Sequence, residues 1–149
     1  MFLGEYRHSV DEKGRLTVPF RYRQLLEDSG GYITEGIDPN LLVWQKETFE
    51  RMAEAITALS FTDREVREFG RLFFSSADRV QPDASGRILV PQFLRDKHGL
   101  KGEVVMAGAG LYFEVWSPAE WVKQSEKLGK VQENADYFAK LNLFLKQSE

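Results

Sequence analysis

Two short segments of this 149-residue chain set an aspartate four residues before an arginine, with a glycine between them. The first is Asp11-Glu12-Lys13-Gly14-Arg15, and the second is Asp83-Ala84-Ser85-Gly86-Arg87. Such a pattern suits recognition. A tight turn with glycine at a positive-φ position projects the next side chain from the start of a strand. A guanidinium there can fork onto O6 and N7 of guanine or grip a phosphate. Arg15, Lys13 and Arg7 are the candidate DNA contacts of the first segment, and Arg87 and Arg79 those of the second. Asp11, Gly14, Asp83 and Gly86 are the candidate turn-formers. The plainer alternative is that each aspartate pairs with its own arginine. A surface pair of that kind is worth ~0–1 kcal/mol and would do no more than hold the turn.

The segments belong to an internal repeat, the feature to look for before any fold is assigned. Asp11 to Pro19 aligns with Asp83 to Pro91, 72 positions later. The same spacing, without gaps, pairs Arg7 with Arg79, Arg23 with Arg95, Gly36 with Gly108 and Trp44 with Trp116. The repeated units cover residues 5–48 and 77–120, with a helical connector at 49–76 and a helical segment at 121–149.

The whole chain carries a formal charge of −3, which argues mildly against a nucleic-acid partner. Its distribution says otherwise. Within residues 7–23, Arg7, Lys13, Arg15, Arg21 and Arg23 stand against only Asp11 and Glu12. Within residues 79–95, Arg79, Arg87 and Arg95 stand against only Asp83. Other acids gather on the helices, as Glu47, Glu50, Glu54, Asp63, Glu65 and Glu68.

Other chemistry finds little support. No nucleophile elbow, Walker sequence or G-x-G-x-x-G occurs, and no enzyme activity or cofactor is expected. The chain has no cysteine, which excludes disulfides and thiolate metal sites and fits a reducing cytoplasm. His8 and His98 are far apart in sequence, so no metal site is expected and both read as ordinary surface residues. Trp44 and Trp116 fall at equivalent apolar positions and read as core or interface rather than base-stacking platforms. The N-terminus lacks the pattern of a secretory signal, and no apolar run is long enough to span a membrane.

Local patterning supplies the elements that must hold the turns. Tyr6–Val10 and Arg15–Val18 read as strands, the latter alternating polar and apolar. Pro19 opens a short helix ending near Ser29-Gly30-Gly31, and strands follow at 32–34 and 41–44. The second unit repeats this order, with strands at 87–90, 103–107 and 111–116 and a helix from Pro91. Phe49, Met52, Ala53, Ile56 and Leu59 have helical spacing. Thr62 with Glu65 reads as a capping box for a helix bearing Val66, Phe69, Leu72 and Phe73. Pro118 starts a helix through Trp121, Val122, Ser125 and Leu128 that Gly129 should break. Ala135, Phe138, Leu141 and Leu145 make a last amphipathic face. A unit of ~45 residues is too small to be stable alone, so the two must pack together or on other chains.

Met1-Phe2-x-Gly4, Asp11-x-Lys13-Gly14-Arg15-Leu16-x-Val18-Pro19-x-Arg21-Tyr22-Arg23 and Asp83-x-x-Gly86-Arg87-Ile88-x-Val90-Pro91 resemble the MraZ family over nearly the whole chain. The resemblance implies an α+β fold of tandem swapped-hairpin, SpoVT/AbrB-like units. They would form a pseudo-twofold, double-psi-like barrel with flanking helices. It implies a homo-oligomeric ring in the cytoplasm, associated with the nucleoid. The ring would bind double-stranded DNA at direct repeats upstream of the division and cell-wall genes, usually as a repressor. The family's DNA-reading arginine maps onto Arg15, with Arg87 as its second copy. Lys13 matches the family's basic turn position, which Ser85 occupies in the second unit. The competing expectation is an antitoxin-like protein-binding module, but such proteins usually carry one hairpin unit and a disordered tail.

Overall fold

The computed structural model describes residues 1–133 and 135–141. The first repeat supplies β1 (Glu5–Val10), β2 (Arg15–Thr17), α1 (Phe20–Leu26), β3 (Gly31–Glu35) and β4 (Leu41–Gln45). Helices α2 (Lys46–Thr57) and α3 (Arg64–Ser75) follow. The second repeat supplies β5 (Asp78–Val80), β6 (Arg87–Leu89), α4 (Gln92–His98), β7 (Gly102–Gly108) and β8 (Tyr112–Trp116).

All eight strands join one antiparallel sheet, in the order β5-β3-β4-β8-β7-β1-β2-β6, curled into a nearly closed barrel. The hairpins are exchanged. β1 pairs with β7 of the other repeat, and β5 pairs reciprocally with β3. β2 pairs with β6 and β4 with β8, so equivalent strands meet each other across an approximate twofold. This is the tandem swapped-hairpin α+β fold. The exchange answers the size problem, because each unit completes its sheet and its core with strands of the other.

The alternation seen in the sequence sets what is buried. Leu16 and Ile88, opposite each other in β2 and β6, are 0% and 1% exposed. Val18 and Val90, Tyr22 and Leu94, and Leu41 and Phe113 occupy equivalent places in the same core. The Tyr22 hydroxyl donates to the Gly4 carbonyl at 2.7 Å. Burial pushes its ionisation up to about 12.

A second cluster seats α2 and α3. Phe49 stacks on Tyr32 and Phe73, beside buried Trp44 and Ile56. Trp44 donates Nε1–H to Thr34 Oγ1 at 3.1 Å, and Trp116 is 1% exposed. Both tryptophans are core residues.

Three local expectations change. Asp63, not Thr62, caps α3, its carboxylate accepting the Glu65 N–H at 3.0 Å. The Thr62 hydroxyl instead pairs with Ser60. An aspartate nearer the helix start satisfies the end N–H groups directly. The helix after Pro19 ends at Leu26 rather than near Ser29, and Gly30 N–H closes back onto the Leu26 carbonyl.

Gly129 does not break the last helix. It lies inside α5 (Pro118–Gln132), since one interior glycine costs only ~1 kcal/mol. Residues Ala119–Glu149 form a separate compact unit. In it a 3-10 helix spans Ala135–Leu141, with Phe138 and Leu141 exposed. Leu145 lies outside the described residues. Among the described residues, no helix is long and apolar enough to cross a membrane.

Candidate nucleic-acid interface

The two Asp-x-x-Gly-Arg segments fold alike. In the first, Asp11 Oδ1 accepts the N–H groups of Lys13 and Arg15 at 3.0 and 2.9 Å. In the second, Asp83 Oδ1 accepts those of Ser85 and Arg87, both at 2.9 Å. Each loop closes through the reciprocal backbone bonds Asp11 N–H to Arg15 O and Asp83 N–H to Arg87 O. Gly14 and Gly86 sit at φ +87° and +75°, a region that a side chain at either position would strain. Asp11 and Asp83 thus accept the bonds inside the turns, and Gly14 and Gly86 occupy their positive-φ positions.

The aspartates also hold the arginines. Arg15 Nε donates to Asp11 Oδ2 at 2.7 Å, and Arg87 Nε to Asp83 Oδ2 at 3.2 Å. The plainer pairing therefore exists, but it engages one edge of each guanidinium. Among the described residues, no acceptor occupies the Nη groups of Arg15. The side chains of Arg15 and Arg87 keep 37% and 29% of their surface exposed. Pairing of this geometry fixes the direction of the fork and leaves donors for a ligand.

Electrostatics follow the same bonds. The Arg15 backbone N–H is the largest influence holding Asp11 below the usual carboxylate range, against an opposing push from burial. The Arg87 N–H does the same for Asp83. Asp11 Oδ2 also lies 3.9 Å from Arg87 Nη1, so one carboxylate touches the arginines of both turns.

That sharing arises from the β2–β6 pairing. Arg15 stands opposite Leu89, and Thr17 opposite Arg87. With Leu16 and Ile88 turned into the core, these four residues share the outer face of a two-stranded ribbon. Lys13 and Ser85 sit at the same position of the two turns, where Lys13 is exposed.

The other expected contacts lie elsewhere. Arg7 on β1 pairs with Glu103 at 3.0 Å, both side chains more than half exposed. Arg79 on β5 donates to the Ser29 carbonyl at 3.2 Å and covers the Tyr32 ring at 5.0 Å. Neither forms a hydrogen bond or ion pair with the turns among the described residues.

Two residues of the site carried a repeat signal without being assigned to it. Arg95 packs over Gly14, and Arg23 over Gly86, so the turn of each repeat is backed by a guanidinium of the other. Arg95 Nε donates to the Val90 carbonyl at 3.0 Å, while Arg23 Nε is buried without a partner among the described residues. Crossed backbone bonds lock the same contact, Val18 N–H to Gly86 O at 3.0 Å and Val90 N–H to Gly14 O at 2.8 Å. The signal was the Pro-x-x-x-Arg continuation of both copies. His98 also departs from expectation. Its side chain is only 10% exposed and lies 3.4 Å from Glu35, which Lys97 also pairs at 2.8 Å.

Interlocked hairpins carrying an arginine turn from each repeat on one ribbon define a tandem swapped-hairpin protein. The chain belongs to the MraZ family. The family model for the MraZ protein, described by name as antitoxin-like, matches residues 1–72 and again 73–142. A protein of Heliobacterium modesticaldum named transcriptional regulator MraZ is 45% identical over 85% of this chain and 88% of its own length. Proteins of the same name from Thermomicrobium roseum and Roseiflexus castenholzii are each 40% identical. The first match covers 86% of this chain and 89% of the relative, the second 93% and 94%.

Proposed function

We propose that this MraZ-family transcriptional regulator binds double-stranded DNA sequence-specifically, through the ribbon face that carries Arg15 and Arg87. The observation that carries the reading is the convergence of both arginine turns on that one face. A two-stranded ribbon fits the major groove, where guanine presents O6 and N7 to a guanidinium fork. Asp11 and Asp83 orient the arginines, Lys13 meets phosphate, and Arg7 and Arg79 reach flanking phosphates. Arg7 can do so by leaving Glu103, since an exposed pair holds it by ~0–1 kcal/mol.

The targets are direct repeats upstream of the division and cell-wall genes, and the effect is repression. One ribbon binds weakly by itself. A homo-oligomeric ring that presents several ribbons to repeated sites gains effective concentration without any new contact. The protein works in the cytoplasm on the nucleoid. The antitoxin-like description of the family supports a second reading, a module that binds a protein partner. Co-purification of a stoichiometric partner on the arginine face, with no DNA selectivity, would favour that reading.

The test is a gel shift on the repeat-bearing promoter. Arg15→Ala should abolish the specific complex while circular dichroism and melting temperature stay near wild type. Unchanged affinity would remove Arg15 as the reader.

A further inference from the structure

Leu89 is a large apolar residue in an unusual place. It is 60% exposed and stands directly opposite Arg15 in the β2–β6 register, on the same face as Thr17 and Arg87. Single exposed leucines are common and need no explanation. This one sits within the basic patch, at the position equivalent to Thr17. It also breaks the alternation that Arg15-Leu16-Thr17 keeps in the other repeat.

We propose that Leu89 is a specificity-determining residue that packs on the C5-methyl of a thymine beside the base pair read by Arg15. This rests on the DNA reading above and deepens it. The ring methyl of thymine is the apolar group on the major-groove edge, and apolar side chains read it by contact. Residues directly opposite in an antiparallel pair have β-carbons ≈ 4.5–5.5 Å apart. Base pairs stack ≈ 3.4 Å apart. A ribbon lying in the groove with Arg15 on a guanine therefore brings Leu89 to the pair one or two steps away. Charge complementarity selects the duplex as occupant, because the two turns and the guanidiniums packed on them carry Lys13, Arg15, Arg23, Arg87 and Arg95 against Asp11, Glu12 and Asp83. Thr17, opposite Arg87, offers one γ-methyl and a hydroxyl, so the two halves of the ribbon differ. The chain then reads an element with a direction rather than a palindrome.

The full chain selects its preferred duplexes from a randomised 20-base-pair library. The tightest is resynthesised with each thymine replaced in turn by uracil, which removes the methyl and keeps every hydrogen-bonding group. Affinities are measured by fluorescence anisotropy for wild type, Leu89→Ala, Leu89→Thr and Arg15→Ala. One uracil position should weaken wild type roughly 3- to 10-fold and change Leu89→Ala by less than about 1.5-fold, the coupling expected of groups in contact. Leu89→Thr should keep part of the sensitivity. A structural role for Leu89 would weaken all duplexes alike and show no such coupling. The proposal is overturned if no uracil position couples to residue 89, or if Leu89→Ala changes the oligomeric mass instead, which would make the leucine a contact between copies. Loss of selectivity in Arg15→Ala alongside uncoupled uracils would sink the leucine and leave the DNA reading standing. Failure of wild type to enrich any sequence would sink both.

Discussion

Arg95 and Gly14 meet across the boundary between the repeats. A β-carbon on Gly14 would lie 2.7 Å from both Cζ and Nε of Arg95. Gly14 is also held at φ +87°. Gly14→Ala therefore combines backbone strain with displacement of the buttressing guanidinium. The expected loss is about 1–3 kcal/mol, read as a lower melting temperature. Adding Arg95→Ala should relieve the steric part and leave the strain. Gly86→Ala with Arg23→Ala should behave alike, since Arg23 Cζ would lie 2.6 Å from a β-carbon there. Strictly additive effects in both pairs would argue against the crossed buttress.

Leu16 and Ile88 are the centre of the exchanged hairpins. Truncating either to alanine should cost about 2–5 kcal/mol in urea unfolding, through lost transfer energy and a residual cavity. Because the two are register partners, the double variant should depart from the sum of the singles. Independent effects would mean that the repeats do not share this part of the core.

Asp11 should shape the acid limb of stability. Its carboxyl is held below the ordinary value, first by the Arg15 backbone N–H and then by the guanidinium. The folded state thus favours the carboxylate. Its contribution is fully present above the unfolded value of ~3.9 and is lost as pH falls through the lower folded value. Asp11→Asn should flatten stability against pH in that acid window, with Asp83→Asn acting in the same sense. Acid titrations of melting temperature that superimpose on wild type would contradict this.

Lys13 and Arg15 should fail differently. Lys13→Ala should weaken binding to all duplexes by a similar factor and reduce the salt slope by about 1, as loss of one phosphate contact does. Arg15→Ala should erase the preference between the selected duplex and scrambled DNA. Anisotropy at several salt concentrations separates the two.

Tyr22→Phe should cost about 1 kcal/mol in denaturant unfolding. It removes the bond to the Gly4 carbonyl and spares the ring's packing against Phe2 and Phe113. That carbonyl also accepts the Gly108 N–H, which keeps the loss small. A much larger cost would mean that the Gly4 carbonyl depends on the hydroxyl.

Much of the local structure could be read because it depends on near neighbours. The aspartate and glycine of each turn form it through bonds spanning four residues or fewer. The alternation of Arg15, Leu16 and Thr17 places one face in the core. Two of the departures are local as well. Asp63 and Thr62 compete for one helix end, and periodicity alone does not show which carboxylate or hydroxyl reaches the N–H. Gly129 lowers helix propensity without deciding the outcome. The departure at His98 is not local: its partner Glu35 lies 63 positions earlier in the chain.

From the chain of letters alone came the two copies of one unit, the turn residues, the arginines and the apolar positions, because repeats and periodicities are written in neighbouring residues. Only the folded molecule decided how the copies interlock. The β2–β6 register sets Leu89 beside Arg15, brings Asp11 within reach of Arg87, and lays Arg23 and Arg95 across opposite turns. Such contacts join residues about 70 positions apart. They depend on which edges pair when a shared core closes, and no single segment carries that information.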